Sequence, residues 1–93
     1  MKPSGYLINT ARGGGVDEMA LWQSIQSGYL AGASLDVREV ESPISGDLLS
    51  QEPRILLTPH ISGLTQEAQV RTAQLVAEDV VRVLTGIPPL TAI

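Results

Sequence analysis

The 93-residue sequence contains no cysteine and no phenylalanine, and aromatic residues make up only 3% of it. The lack of cysteine excludes disulfides and thiolate metal sites. A core built without phenylalanine has to come from valine, isoleucine, leucine and alanine. No apolar run approaches the roughly 20 residues that span a bilayer. We therefore expect neither a disulfide scaffold nor a membrane protein.

Positive charge is also scarce. Six Lys and Arg stand against ten Asp and Glu, which gives a formal net charge of −4. The basic residues are scattered singly along the chain, at Lys2, Arg12, Arg38, Arg54, Arg71 and Arg82. Such scatter argues against a nucleic-acid groove and against a polybasic membrane patch. A hydrophobic content of 43% with 17% charged residues indicates a folded chain, and its length allows one domain at most.

Short apolar runs alternate with helical stretches. The predicted elements are a strand at 5–10, a helix at 17–27, a strand at 31–37, a loop at 38–53, a strand at 54–58 and a helix from 65 to about 85. This alternation is typical of a parallel α/β sheet with right-handed crossovers. We expect the first strand to be buried on both faces and the second to be central.

Both predicted helices carry start and stop signals. Asp17 is a candidate N-cap, Val16 and Leu21 are spaced for a hydrophobic staple, and Gly28 is a natural stop. Thr65 is the candidate N-cap of the last helix. The apolar stripe of that helix comprises Ala73, Val76, Val80, Val83 and Leu84, and Gly86, Pro88 and Pro89 end it.

Ligands of parallel α/β sheets bind outside the carboxyl ends of the strands. The residues at those ends are 10–15, 36–41 and 58–63. There, Arg12 could grip a carboxylate through two hydrogen bonds, and His60 could transfer a proton near neutral pH. Asp36 ends an apolar strand and needs a partner, either a ligand hydroxyl or amide, or backbone amides that it caps. Each of these three residues could also be an ordinary loop or capping residue. The functional interpretation of all three therefore depends on their lying together at one edge of the sheet.

Four stretches carry a resemblance to a known family. They are Met1-Lys2-Pro3 with Leu7-Ile8-Asn9-Thr10-Ala11-Arg12-Gly13-Gly14; Val16-Asp17-Glu18 with Leu21; Ser27-Gly28, Ala31-Gly32-Ala33 and Asp36-Val37 with Glu39 and Glu41; and Leu56-Leu57-Thr58-Pro59-His60-Ile61-Ser62-Gly63. Their order and spacing resemble the D-isomer-specific 2-hydroxyacid dehydrogenases over residues 1–86. The resemblance implies that residues 1–86 form the C-terminal half of a Rossmann-like NAD(P)-binding domain. Residues 87–93 would then be a tail that starts the return to a missing substrate domain.

The resemblance also implies roles for individual residues. Arg12 would bind the substrate's carboxylate and carbonyl, and His60 would exchange a proton with the substrate oxygen. Glu41, five residues after Asp36, would hold that histidine and favour its protonated form. The implied cofactor is NAD or NADP, and its contacts would be Thr10, Ala11, Arg12, Asp36, His60, Ser62 and Gly63. Asp36 would face the nicotinamide side.

The sequence departs from the family pattern at two points. It has no Gly-x-Gly-x-x-Gly, because Gly13-Gly14-Gly15 does not fit that spacing. The helix N-terminus that would hold a pyrophosphate is therefore missing. Glu41 is followed by Ser42-Pro43, whereas the family usually has proline directly after the glutamate, so Glu39 stays an alternative partner for the histidine.

We therefore expect a fragment of a cytoplasmic oxidoreductase that reversibly reduces small 2-keto acids to D-2-hydroxy acids. The 93-residue chain is expected to lack turnover by itself. Two alternatives are a non-catalytic binding module with the NAD fold and a self-associating remnant. Because parallel strands without neighbours expose an apolar edge or face, we also expect a homo-oligomer.

Overall fold

The computed structural model describes residues 1–41 and 46–91. The described elements are strand β1 (Tyr6–Asn9), a short 3-10 turn (Gly13–Gly15), helix α1 (Glu18–Gln26), strand β2 (Gly32–Leu35), strand β3 (Ile55–Leu57) and helix α2 (Gln66–Leu84). The chain divides into two compact units, one of residues Met1–Ser62 and one that starts at Gly63. Residues 42–45, part of the predicted 38–53 loop, lie outside the described residues.

The three strands form one parallel sheet in the order β1-β2-β3. Leu7 pairs with Ala33, and Ala33 pairs in turn with Ile55. The predicted α/β class and the central position of the second strand are thus confirmed. Gly32 is needed in that centre, because a Cβ built there would lie 2.4 Å from the carbonyl oxygen of Arg54.

The core of the first unit joins α1 to the sheet. Its buried cluster consists of Leu21, Ile25, Leu30, Ala33, Leu35, Leu49 and Ile55, and Val16 packs against it as the staple predicted. The Asp17 carboxylate accepts the Ala20 amide hydrogen at 2.9 Å and caps α1. Gly28 ends this segment in the left-handed region, with φ at +79°.

The prediction that the first strand is buried on both faces is wrong. Tyr6 and Ile8 are 66% and 72% exposed, whereas Leu7 and Asn9 are half-buried. Alternate residues of a strand point to opposite faces of the sheet, and only the face with Leu7 packs on the core cluster. Ile8 lies in register with Ser34 and Leu56 on the other face, where Leu56 is 62% exposed.

The second unit is helix α2 with the chain that follows it. The Thr65 hydroxyl oxygen accepts the Ala68 amide hydrogen at 3.1 Å, which confirms the predicted cap. Asp79 accepts hydrogen bonds from the amides of Leu90 and Thr91, so the chain after Gly86 folds back along the helix. No residue of α2 is buried, and the predicted apolar stripe is exposed.

Among the described residues, no helix is both long and apolar enough to cross a membrane.

Candidate functional site

The carboxyl ends of the three strands lie side by side and bring the predicted residues to one edge. The Asp36 amide donates to the carbonyl oxygen of Asn9 at 3.0 Å, which joins the end of β2 to the end of β1. The His60 amide donates to the carbonyl oxygen of Asp36 at 2.9 Å, which joins β2 to the turn after β3. A parallel sheet makes this adjacency unavoidable, because all its strands end on the same side.

Asp36 is the buried anchor of this edge, with 4% of its surface exposed. Its carboxylate accepts hydrogen bonds from the Thr58 hydroxyl, from the Ile61 amide at 2.9 Å and from the Ser62 amide at 2.8 Å. Hydrogen bonds from Ser62, through its side chain first, and from the Thr58 hydroxyl hold the Asp36 pKa well below its ordinary value of 3.8. Asp36 is therefore ionised at neutral pH, and it caps backbone amides, one of the two partners predicted for it.

His60, whose amide is bonded to Asp36, lies beside Glu41. The His60 Nδ1 atom lies 3.3 Å from Glu41 Oε1, and both side chains are about half exposed. No ion pair joins the other candidate, Glu39, to His60 among the described residues, and the Glu39 backbone amide donates to the Glu18 carboxylate at 3.0 Å. Between the two predicted partners, Glu41 is thus the carboxylate within ion-pair distance of the histidine. The orientation leaves Nε2 as the ring nitrogen that faces away from Glu41.

Arg12 lies in an exposed turn after β1 that Asn9 organises. The Asn9 Nδ2 atom donates to the Arg12 carbonyl oxygen at 2.9 Å, and the Ala11 amide donates to Asn9 Oδ1 at 3.1 Å. The Arg12 guanidinium donates to the Ala11 carbonyl oxygen at 2.6 Å. Thr10, Ala11 and Arg12 are all exposed, and within residues 1–41 and 46–91 no carboxylate lies within ion-pair distance of Arg12. The guanidinium is thus available to an external anion.

Glycine is required at position 13 for a steric reason that the sequence did not reveal. A Cβ at Gly13 would lie 2.1 Å from the carbonyl group of Arg38, so only glycine fits there. The Arg38 guanidinium in turn makes two hydrogen bonds to Glu18, at 2.9 and 2.8 Å, and one to Asp47 at 3.2 Å. This network ties the loop after β2 to α1, and lowers the pKa of Glu18 through the hydrogen bond from Arg38.

Sequence reasoning missed two residues of this edge, Asn9 and Thr58. Asn9 spans the Arg12 turn, and Thr58 donates its hydroxyl to Asp36. Both stand at the last position of a strand or directly after it, beside predicted site residues. Their short polar side chains at these positions were the available signal, because such groups commonly bond to nearby backbone and side chains at turns.

Comparison with known proteins decides the family. The sequence profile of the D-isomer specific 2-hydroxyacid dehydrogenase, NAD binding domain, matches residues 1–62. The chain belongs to that family. The expected resemblance is confirmed, and the matched region is the family's NAD binding domain.

Relatives within the 2-hydroxyacid dehydrogenase family are considerably longer than this chain. A D-3-phosphoglycerate dehydrogenase of Bacillus subtilis is 45% identical over 87 residues, which cover 94% of this chain and 16% of the relative. A dehydrogenase of Xanthobacter autotrophicus Py2, solved with NADPH and MES, is 34% identical with a TM-score of 0.87, over 100% of this chain and 38% of that protein. One from Lactobacillus delbrueckii, solved with NAD, is 32% identical with a TM-score of 0.81, over 100% and 32%.

Proposed function

We propose that this chain supplies the proton-transferring and substrate-binding side chains of an NAD(P)-dependent D-2-hydroxyacid dehydrogenase. The observation that carries the proposal is the contact between His60 Nδ1 and Glu41 Oε1, at the same sheet edge as the exposed Arg12. Family membership supports it, and Asp36, which directly follows β2, links the two neighbouring turns.

His60 acts as the acid and base in this proposal. With Nδ1 toward the Glu41 carboxylate, the proton on Nδ1 is held there, and Nε2 is the nitrogen that exchanges a proton with the substrate oxygen. In the direction of reduction, Nε2 delivers its proton to the oxygen of the 2-keto group. Glu41 orients the ring for that transfer, because its Oε1 atom lies 3.3 Å from Nδ1 and can accept the Nδ1 proton in a hydrogen bond.

Arg12 binds the acid substrate. A 2-keto acid presents a carboxylate next to a carbonyl group, and a guanidinium can donate to both groups at once. The only hydrogen bond of the Arg12 guanidinium to a described residue goes to a neighbouring carbonyl oxygen. An incoming anion can therefore bind this guanidinium without displacing a carboxylate of a described residue.

The described residues fit one end of a dinucleotide cofactor. Asp36 is one proposed contact, since its carboxylate lies at the sheet edge and accepts hydrogen bonds from Thr58, Ile61 and Ser62 in the turn that also carries His60. Exposed Thr10, Ala11, Arg12, His60 and Ser62, with Gly63, are the further proposed contacts. The bound nicotinamide supplies the hydride. NAD and NADP both stay in the proposal, because the two similar structures hold one or the other.

We further propose that the 93-residue chain does not turn over by itself. The sequence has no Gly-x-Gly-x-x-Gly loop to hold a pyrophosphate, and the chain spans 16% of the Bacillus subtilis relative. The purified chain should leave NADH and NADPH absorbance unchanged with glyoxylate, hydroxypyruvate or pyruvate. Oxidation of either cofactor that disappears in Arg12→Gln would refute this proposal.

A chimera tests the catalytic roles directly. The 87 residues of this chain that align with the Bacillus subtilis D-3-phosphoglycerate dehydrogenase replace their counterpart in that enzyme. The parent enzyme serves as the control. We expect turnover in the chimera, a loss of about 10²–10⁴-fold in kcat for His60→Asn, and a smaller loss for Glu41→Gln. Arg12→Lys should raise KM, because it removes the two-bond grip. A chimera that keeps its activity in His60→Asn, or one that folds and binds NADH but does not turn over, argues against the dehydrogenase and for the binding module.

Self-association is the second proposal, and the exposed sheet face favours it. Tyr6 and Ile8 on β1 and Leu56 on β3 are each more than 60% exposed on the same face of the sheet, on the two sides of β2. Contiguous apolar surface of this kind marks interaction sites. The occupant we propose is a second copy of the chain, and light scattering should then give a mass above 9.9 kDa that Ile8→Lys reduces. A monomeric wild-type mass would refute it.

The cytoplasmic location likewise stays a proposal from the family resemblance.

A further inference from the structure

His60 is held in a backbone conformation that it would not adopt freely. Its φ is +54°, and it is the only non-glycine residue with a positive φ among residues 1–41 and 46–91. The left-handed region is unfavourable for an L-residue, so the surrounding structure has to hold the histidine there. A side chain proposed to transfer protons thus owes its direction to a constrained turn.

Asp36 binds that turn at His60 and at the two residues that follow it. The His60 amide donates to the Asp36 carbonyl oxygen at 2.9 Å. The next two amides, of Ile61 and Ser62, donate to the two carboxylate oxygens of the same residue. Three consecutive amides are therefore fixed by a single residue at the end of the central strand.

Thr58 fixes the carboxylate in turn. Its hydroxyl donates to Asp36 Oδ1, the oxygen that also accepts the Ile61 amide, while its own amide donates to the Leu35 carbonyl oxygen at 3.1 Å. This hydroxyl is therefore a side-chain donor that ties the start of the turn, before His60, to the Asp36 carboxylate. It selects the carboxylate orientation in which one oxygen meets Ile61 and the other meets Ser62.

We propose that Thr58 is a positioning residue for His60. The Thr58 hydroxyl fixes the Asp36 carboxylate, and this carboxylate fixes the turn of residues 58–62 that follows β3. The fixed turn in this proposal directs the His60 Nδ1 atom toward Glu41. The proposal rests on the proposed proton-transfer function of His60, but the geometry it predicts can be measured without any turnover.

The first measurement uses the wild-type chain. Because His60 is the only histidine, a ¹⁵N-labelled sample gives a single imidazole pattern in nuclear magnetic resonance. In the neutral ring we expect the Nδ1–H form to dominate, since Nδ1 faces Glu41 Oε1 at 3.3 Å. We also expect the amides of Ile61 and Ser62 to exchange with solvent at least about fivefold more slowly than unbonded amides, as one net hydrogen bond implies. Unprotected amides would overturn the proposal.

The second measurement uses Thr58→Val, which removes the hydroxyl and keeps the shape. We expect Ile61 and Ser62 to exchange about fivefold or more faster than in wild type, and the imidazole to shift toward Nε2–H. Thr58→Ser keeps the hydroxyl and should retain the wild-type pattern. Asp17→Asn, a matched loss of one carboxylate that leaves a good N-cap, should change neither readout. Should Thr58→Val not fold, Thr58→Ala removes the same hydroxyl with less bulk.

A Thr58→Val chain with wild-type exchange and wild-type imidazole would refute the positioning role. The same holds if Thr58→Ser behaves like Thr58→Val, because the methyl group and not the hydroxyl would then matter. The two proposals fail separately. An inactive chimera with these spectra intact refutes the dehydrogenase function alone, and an active chimera whose Thr58→Val variant keeps full kcat refutes the positioning role alone.

Discussion

Helices α1 and α2 begin in the same way and meet different surroundings. Each starts with a side-chain cap three residues before the amide it accepts, Asp17 for Ala20 and Thr65 for Ala68. The shorter α1 buries two residues against the sheet, with Ile25 fully buried, whereas the 19-residue α2 buries none. Caps and apolar spacing therefore define where a helix forms, and a partner surface decides whether its apolar face is buried.

The C-terminal ends of the two helices also differ in whether their contacts are buried or exposed. At the end of α1 the buried Glu52 accepts hydrogen bonds from Gln26 and Arg54, and Arg54 also donates to the Ile25 carbonyl oxygen at 2.9 Å. Among the residues that the structure describes, the contacts at the end of α2 are exposed, including an Arg82 hydrogen bond to the Pro88 carbonyl oxygen. Stability should thus be concentrated around α1.

The largest effect is expected where α1 meets the sheet. Ile25→Ala removes a side chain with no exposed surface, so it loses both burial and packing and leaves a cavity. We expect a loss of about 2–5 kcal/mol in the free energy of unfolding, measured by urea denaturation followed through Trp22 fluorescence. A loss below 1 kcal/mol would mean that α1 is no better packed than α2.

Acid should weaken the α1 end next. The hydrogen bond from Arg54 lowers the Glu52 pKa from 4.5 to about 2 in the folded chain. A lowered folded pKa stabilises the fold above the unfolded value, and that contribution is lost as the pH falls from about 4.5 to about 2. The urea midpoint of wild type should fall more across this window than that of Glu52→Gln. Glu78→Gln, an exposed change on α2, should follow wild type, and identical slopes for all three would contradict the prediction.

Loss of the two caps should separate the units. Asp17→Ala should lower the free energy of unfolding by about 1 kcal/mol, because the Ala20 amide loses its acceptor in a packed helix. Thr65→Ala removes the same kind of bond, and we expect faster amide exchange confined to the first turn of α2. The urea midpoint reported by Trp22 should stay unchanged in that variant. A shared drop in midpoint would show that the two helices unfold together.

The smallest effect is expected on the exposed stripe of α2. Val80 is 51% exposed, so Val80→Ala should change the free energy of unfolding by no more than about 0.5 kcal/mol. Circular dichroism and urea denaturation at low and high protein concentration check this. A loss above 1 kcal/mol that grows with concentration would show that the stripe is covered in an assembly.

Much of the fold follows from short-range signals. The caps at Asp17 and Thr65, the glycine stop at Gly28 and the alternation of apolar runs predicted the elements and the parallel sheet. The exposure of β1 was mispredicted, because an apolar run reads the same whether one or both of its faces are covered. What lies on a strand's second face depends on residues far away in the sequence.

The candidate site shows the same division. Strand-end positions predicted that Arg12, Asp36 and His60 share one edge, since parallel strands must end together. Spacing left Glu39 and Glu41 as alternatives, and the path of the chain after β2 placed Glu41 beside the histidine. The roles proposed for these residues stay predictions for the chimera to test.

By itself, then, the sequence determined the order of elements, the helix starts and the edge at which polar residues collect. These depend on neighbours within a few positions, through caps, turns and periodic spacing. Only the tertiary structure decided that Asp36 caps the turn of His60, that Thr58 fixes Asp36, and that one face of the sheet is exposed. Such contacts join residues more than 20 positions apart, and their geometry exists only once the strands have paired.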